Sequence, residues 1–382
     1  MSIKTEKLYY ENAYISDFYA SVISTSKVDD GFDVVLDKTA FFPEEGGQSA
    51  DEGYIAESRV VRVYEKDGVV HHITDTEPTL GEHWCNIDFD SRFQKMQCHT
   101  AEHILCGIIH SLYGFENVGF HLGVDEVTFD IDGVLDRSQL DKIEEMANDV
   151  VSSNIQVKAF FPPEKKLPYI KYRSKLDITE EVRLVEIDGV DICACCAPHV
   201  ANTGEIGLIK ILDFMKHRGG TRIWMVAGKR ALLDYRARYD NIKRISAMLC
   251  TPQLETADTL ESYIKDSEAA KNSLKAARLR IAELEAGRVE KTPGNAVFLL
   301  SDFTIPELIA FSNIAGKMIG GIMVALSGAD GDYKYVISSG AVDLRERAKE
   351  INSALNGRGG GRPEMIQGSF CATLEQIKDY FK

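Results

Sequence analysis

The chain has 382 residues, 44% of them hydrophobic and 27% charged, with a formal charge of −15. That length exceeds what one hydrophobic core usually serves, so several domains are expected. No run of about eighteen apolar residues occurs, which excludes a helical membrane span. The acidic balance argues against a broad nucleic-acid binder, and the polar opening MSIKTEKLYYENAY carries no apolar signal core, so a cytoplasmic place is expected.

An α+β multidomain architecture follows from the elements in chain order. Residues 1–90 read as short strands around Gly and Asp turns, as in FDVVLDKTAFF followed by PEEGGQSADEG, and predict a small N-terminal β-barrel. Residues 91–230 read as a central α+β domain. Within it, Met96, Ile104, Leu105, Ile108, Ile109 and Leu112 recur at helical spacing and predict a helix over 92–113, stopped at Gly114. A second helix is expected over 138–152, with Ser138 and Asp141 as its capping pair.

Residues 231–291 predict a helical hairpin broken at Pro252. Leu260, Tyr263, Ser267, Ala270, Leu274, Ala277, Ile281 and Leu284 step by three and four, a coiled-coil-like seam for an antiparallel pair. Residues 292–382 alternate as a C-terminal α/β domain, with NGRGGGRPEM expected as a Gly-rich loop.

The stretch CHTAEH places His99 and His103 one helical turn apart, with Glu102 between them. A histidine pair of this kind is by itself a common core feature. A second pair changes its meaning: CACCAPH places Cys195 and His199 four residues apart. Imidazole and thiolate are ligands that zinc prefers, so the four together predict a Zn2+ site. Cys106 and His110 continue the same helix face and read as packing. Cys193 and Cys196 form a C-x-x-C that competes with Cys195 or acts as a redox pair. Read alone, H-x-x-E-H is also a zinc metalloprotease pattern, with Glu102 as base and Glu180 or Glu181 as a further ligand.

Charge is unevenly spread. Residues 210–244 hold ten Lys or Arg against three acids, a stripe that fits a polyanion or a solvated face. Arg92, just ahead of the histidine pair, is a further phosphate candidate.

DKTAFFPEEGGQSADEG, CHTAEHIL and CCAPHVANTGEIGLIKI, in that order, resemble the editing module of alanyl-tRNA synthetase and its free-standing AlaX-type relatives. The resemblance covers about residues 5–230. The closing part with GRGGGRPEM resembles the C-terminal domain (DHHA1) shared by that synthetase and DHH phosphoesterases. The resemblance implies metal ligands His99, His103, Cys195 and His199, and substrate-facing residues Thr39, Gly46, Gly47 and Gln48. It departs from the family pattern at Glu45, Cys196 and Pro198.

It further implies a zinc-dependent deacylase acting in trans on tRNA(Ala) mischarged with serine or glycine. Thr39 or Gln48 would read the serine hydroxyl, and Glu102 is a candidate base. A homodimer through the helical and C-terminal regions is implied, with Gly359–Gly361 either cradling phosphate or turning at the dimer contact. A non-catalytic tRNA-binding or assembly protein with the same fold is the alternative.

Overall fold

The computed structural model describes residues 4–123, 126–174 and 182–382. The chain divides into two compact units, Met1–Asn241 and Ile242–Lys382.

In the first unit, β1 (Asp17–Val28), β2 (Gly31–Leu36), β3 (Gly53–Ile55), β4 (Ser58–Lys66), β5 (Val69–Thr74) and β6 (Gly81–Ile87) close into a barrel in the order β1-β2-β5-β4-β3-β6. Alternation sets its inside: Phe18, Ala20 and Val22 are buried while Asp17 and Tyr19 face out. Register shifts in β1 and β4 supply the bends that closure needs. The long connection between β2 and β3 carries PEEGGQ. Its Phe41 fills the barrel interior beside Leu36, Ile55 and Val60, so the loop is anchored by its own apolar stem.

The histidine helix, α1, spans Phe89–Tyr113. Asp88 caps it by accepting from Ser91 N, and Gly114 ends it in the left-handed conformation. Its residues are buried almost continuously from Arg92 to Ile109, so it is a core helix. It packs with α2 (Arg137–Ser152) in one apolar cluster. The same cluster holds side chains from the antiparallel sheet of β7 (Asn117–Leu122), β8 (Val127–Ile131), β12 (Ile209–His217) and β13 (Gly220–Ala227). The cap of α2 is Asp136 with Gln139. The expected Ser138–Asp141 pair lies two residues too late, because a carboxylate at Asp136 already satisfies the first free amides. A third, three-stranded sheet joins β9 (Val157–Phe160), β10 (Leu184–Ile187) and β11 (Asp191–Ala194).

Helix α3 (Gly228–Leu249) precedes Pro252, and α4 (Thr256–Ala286) follows it. The expected seam is not buried between them: Leu260, Tyr263, Leu274, Ile281 and Leu284 are all exposed. Instead α4 packs through Ala282 and Ala286 onto α5 (Ile305–Ala315). The second unit's sheet comprises β14 (Ala296–Leu299), β15 (Ile322–Ala329), β16 (Asp332–Ser339), β17 (Gly357–Arg362) and β18 (Met365–Phe370), ordered β14-β15-β16-β18-β17. The expected Gly-rich loop is therefore edge strand β17, in register with β18. Strand pairing overrides the poor β-propensity of glycine there. Among the described residues no helix is long and apolar enough to cross a membrane.

Candidate metal and substrate site

Four side chains converge from two segments distant in sequence. Ligand atoms of His99, His103, Cys195 and His199 all lie within 4.8 Å of one another. Cys195 Sγ is 3.5 Å from His99 Nε2 and 3.4 Å from His199 Nε2. The helix supplies His99 and His103 by its own pitch. The other pair arrives because β11 begins against that helix at Gly107. A Cβ there would lie 2.5 Å from the Val190 carbonyl, an approach only glycine allows. The chain then runs through Asp191 to Cys195 directly beside the imidazoles.

Each imidazole is held at Nδ1. His99 Nδ1 lies 2.9 Å from Gln48 Oε1, and His103 Nδ1 lies 3.1 Å from Asp191 Oδ2. His199 Nδ1 lies 3.1 Å from Thr100 Oγ1, whose own hydrogen goes to the Met96 carbonyl at 2.8 Å. All three partners accept, so each Nδ1 carries a hydrogen and each Nε2 is left for the cluster. Asp191 is itself gripped by Arg173 at 2.7 and 2.9 Å. Burial works against the Asp191 carboxylate, but the bonds from His103 and Arg173 hold its pKa below the ordinary value.

Electrostatics favour the ligating forms of His199 and Cys195. Burial, the largest influence, pushes His199 down to about 3, which keeps it neutral. Burial also opposes ionisation of Cys195, but His99 and His199 beside it, with bonds to His103 and His199, bring its thiol well below the usual range. Burial also opposes charge on His103, but its bonds to Asp191 and Cys195 hold its imidazole well above the ordinary value, so an entering ion would displace that proton. Three imidazoles and a low-pKa thiol in one buried cluster fit a soft-to-borderline divalent ion such as zinc. Cys195 belongs to this group and Cys196 does not. Cys196 Sγ lies beneath Gly46, 3.5 Å from where a Cβ would sit, and burial pushes its thiol up.

The PEEGGQ loop lies against the cluster. Glu45 and Gln48 exchange backbone bonds at 3.0 and 3.2 Å across a turn in which Gly46 and Gly47 take φ of 62° and 83°. Both values favour glycine, and at Gly47 a Cβ would also lie 2.4 Å from the Phe120 carbonyl oxygen. Gly47 O accepts from Leu122 N at 2.8 Å, which fixes the turn to β7. The turn delivers Gln48 to His99, and Gln48 Nε2 is buried with no hydrogen-bond partner among the described residues.

Of the remaining expected residues, Glu102 is buried. Its Oε1 accepts from Asn117 Nδ2 and Cys106, and its Oε2 stands 3.9 Å from His103 Nε2. Thr39 is fully buried inside the barrel. Arg92 is not on a phosphate-binding surface. It is wholly buried, paired with Asp51 and bonded to the carbonyls of Ala13 and Ala40. With Lys95 donating to the Ala50 carbonyl, it fastens both ends of the loop to the histidine helix. Cys106 lies outside the cluster, and His110 is exposed beside Glu116. Glu180 and Glu181 lie outside the described residues. Asp191, Arg173, Thr100 and Asn117 were not legible in advance, since nothing in their spacing marks them.

Residues 182–246 match the family "Threonyl and Alanyl tRNA synthetase second additional domain", and residues 3–88 match "tRNA synthetases class II (A)". An alanine–tRNA ligase of Ignicoccus hospitalis is 29% identical over 94% of this chain, and one of Halobacterium salinarum 33% identical over 86%. The chain spans only 40% and 38% of those ligases. The alanyl-tRNA editing protein AlaX-L of Pyrococcus horikoshii is 28% identical over 98% of this chain and 96% of its own length. Similarity over nearly the whole of both chains makes this protein a relative of the long-form alanyl-tRNA editing proteins, and of the matching part of alanine–tRNA ligase.

Proposed function

We propose that the chain is a zinc-dependent aminoacyl-tRNA deacylase that hydrolyses seryl-tRNA(Ala), and glycyl-tRNA(Ala), in trans. The observation that carries the reading is the buried three-histidine, one-cysteine cluster, with each Nδ1 anchored, beside the Gly46–Gly47–Gln48 turn. The name of the relative AlaX-L points to the same chemistry.

His99, His103, Cys195 and His199 would hold the ion. A zinc ion so held supplies Lewis acidity for an ester carbonyl and lowers the pKa of water. The rest falls to the chain. Gln48 Nε2 is a free donor beside the cluster, suited to the carbonyl oxygen or its developing negative charge. Glu102, with Oε1 held by Asn117, keeps Oε2 on the cluster side as the candidate base. Thr39 reads the aminoacyl side chain.

The need for such an enzyme is physical. A pocket built for alanine rejects serine, with one added hydroxyl, by only about a hundredfold. A second site that hydrogen-bonds the hydroxyl discriminates by about 10⁴-fold or more.

The tRNA is held through phosphates by those exposed cations of the 210–244 stripe that have no ion-pair partner among the described residues. A homodimer through the exposed α4 seam and the C-terminal unit completes the reading, and sedimentation equilibrium decides it: a monomer at micromolar concentration removes that part.

The test is one incubation of the protein with Ser-, Gly- and Ala-tRNA(Ala) and an unfolded polypeptide, alongside zinc analysis of the parent and of His103→Ala. Loss of the seryl and glycyl esters only, with zinc and activity both gone in the variant, is expected. Cleaved polypeptide would make the protein a protease. Bound tRNA with intact esters would make it a carrier.

A further inference from the structure

Thr39 and His72 form a hydrogen-bonded pair inside the barrel, and both are fully buried. Thr39 Oγ1 lies 2.9 Å from His72 Nε2. His72 Nδ1 lies 3.1 Å from the carbonyl of Val34, the residue opposite it in the β2–β5 ladder. A carbonyl only accepts, so Nδ1 carries the ring hydrogen. Burial lowers the His72 pKa to about 4, so the ring is neutral at pH 7 and Nε2 is bare.

Nε2 therefore accepts, and Thr39 gives its single hydroxyl hydrogen to it. One lone pair of Oγ1 takes the Phe41 N–H at 3.1 Å. What remains on Thr39 is one lone pair and no hydrogen.

We propose that His72 is a positioning residue that makes Thr39 an acceptor-only reader of the aminoacyl side chain, so that the site favours esters whose side chain donates a hydrogen bond. This rests on the reading that Thr39 meets that side chain. A serine hydroxyl donates to the remaining lone pair. Alanine offers nothing and glycine offers nothing, so the same contact ranks serine above both. A β-fluorine brings a second acceptor against the lone pair and is disfavoured although it is nearly isosteric with the hydroxyl. Had the ring carried its hydrogen on Nε2, Thr39 would be free to donate, and the fluorine would no longer face a bare lone pair.

The experiment measures kcat/KM of the zinc-loaded protein on tRNA(Ala) charged with serine, glycine, alanine and 3-fluoroalanine. The fluoro ester is expected to be cleaved no faster than the alanyl ester, and the seryl ester at least about a hundredfold faster. In His72→Phe the serine-to-fluoroalanine ratio should fall at least about tenfold with zinc content unchanged. In a Thr39→Val background the same His72 substitution should move that ratio no further, because the two act as one unit. A parent that cleaves the fluoro ester like the seryl ester overturns the proposal, and this arm needs no variant to fold. So does a His72 effect of equal size with Thr39 replaced. Serine-to-alanine discrimination unchanged in Thr39→Val alone overturns it through its premise, the placing of Thr39. A parent inert to all four esters refutes the deacylase reading itself.

Discussion

Three imidazoles in the cluster are held by three chemically different acceptors: an amide oxygen at Gln48, a carboxylate at Asp191 and a hydroxyl at Thr100. Only Asp191 carries charge, and only it is gripped in turn by a guanidinium, Arg173. It should therefore raise the basicity of its histidine most. Asp191→Asn keeps the shape but sets an amide against Arg173. Its zinc affinity, measured by competition with a chelator, should fall about 10–100-fold, the usual size for a partner of a metal-binding histidine. An unchanged affinity would show that His103 is oriented by packing alone. The four clustered side chains were readable because each pair is local in sequence. Their anchors were not: Gln48, Asp191 and Thr100 lie 51, 88 and 99 residues from the histidines they hold. No periodicity spans such separations.

At the scale of elements, the histidine helix expected over 92–113 runs Phe89–Tyr113: its stop at Gly114 stands beside the apolar period, whereas its cap, Asp88, lies ahead of that period, so the start comes earlier than expected. Period says less about what covers a stripe. The α4 residues keep their three-and-four spacing, but the stripe is exposed from Leu260 to Leu284 and burial falls to Ala282 and Ala286. Composition misleads at GRGGGR, where pairing with β18 makes a strand.

Arg92 misleads in another way. A cation beside a metal motif suggests phosphate, and only the fold reveals Asp51 beneath the loop. Gly107 is the element-scale device that brings Cys195 and His199 in. In an ordinary helix interior, Gly107→Ala would stabilise by about 0.8–1 kcal/mol. Here the added carbon meets the Val190 carbonyl, so an overpacking cost of about 1–3 kcal/mol should win. The denaturation midpoint should fall and zinc content with it. A more stable variant with full zinc would mean that β11 and the helix do not press together at this point.

For the whole molecule, the proposed function requires an acidic chain to meet a polyanion, and ion pairing decides which cations are available. In the 210–244 stripe, Lys210, Arg222, Lys229 and Arg238 are paired with Glu144, Asp130, Asp90 and Asp234. Arg230 donates to the Gly123 carbonyl. Lys216, Arg218, Arg236, Lys243 and Arg244 are exposed and have no ion-pair partner among the described residues. Exposed Tyr235 and Tyr239 stack at 6.2 Å on the same helix as three of them, so α3 offers both charge and aromatic surface.

Each phosphate contact displaces counterions, contributing about −0.7 to −0.9 to the slope of log affinity against log salt. Removing two free cations together, Arg236→Ala with Lys243→Ala, should flatten the slope for tRNA(Ala) by about 1.5. Lys229→Ala, whose charge already faces Asp90, should change it by much less. The comparison separates local contact from net charge, because all these substitutions make the protein more acidic. If the slope shifted in proportion to charge removed, wherever removed, the long-range field of the molecule would be what the tRNA feels, and α3 would lose its place as the docking helix.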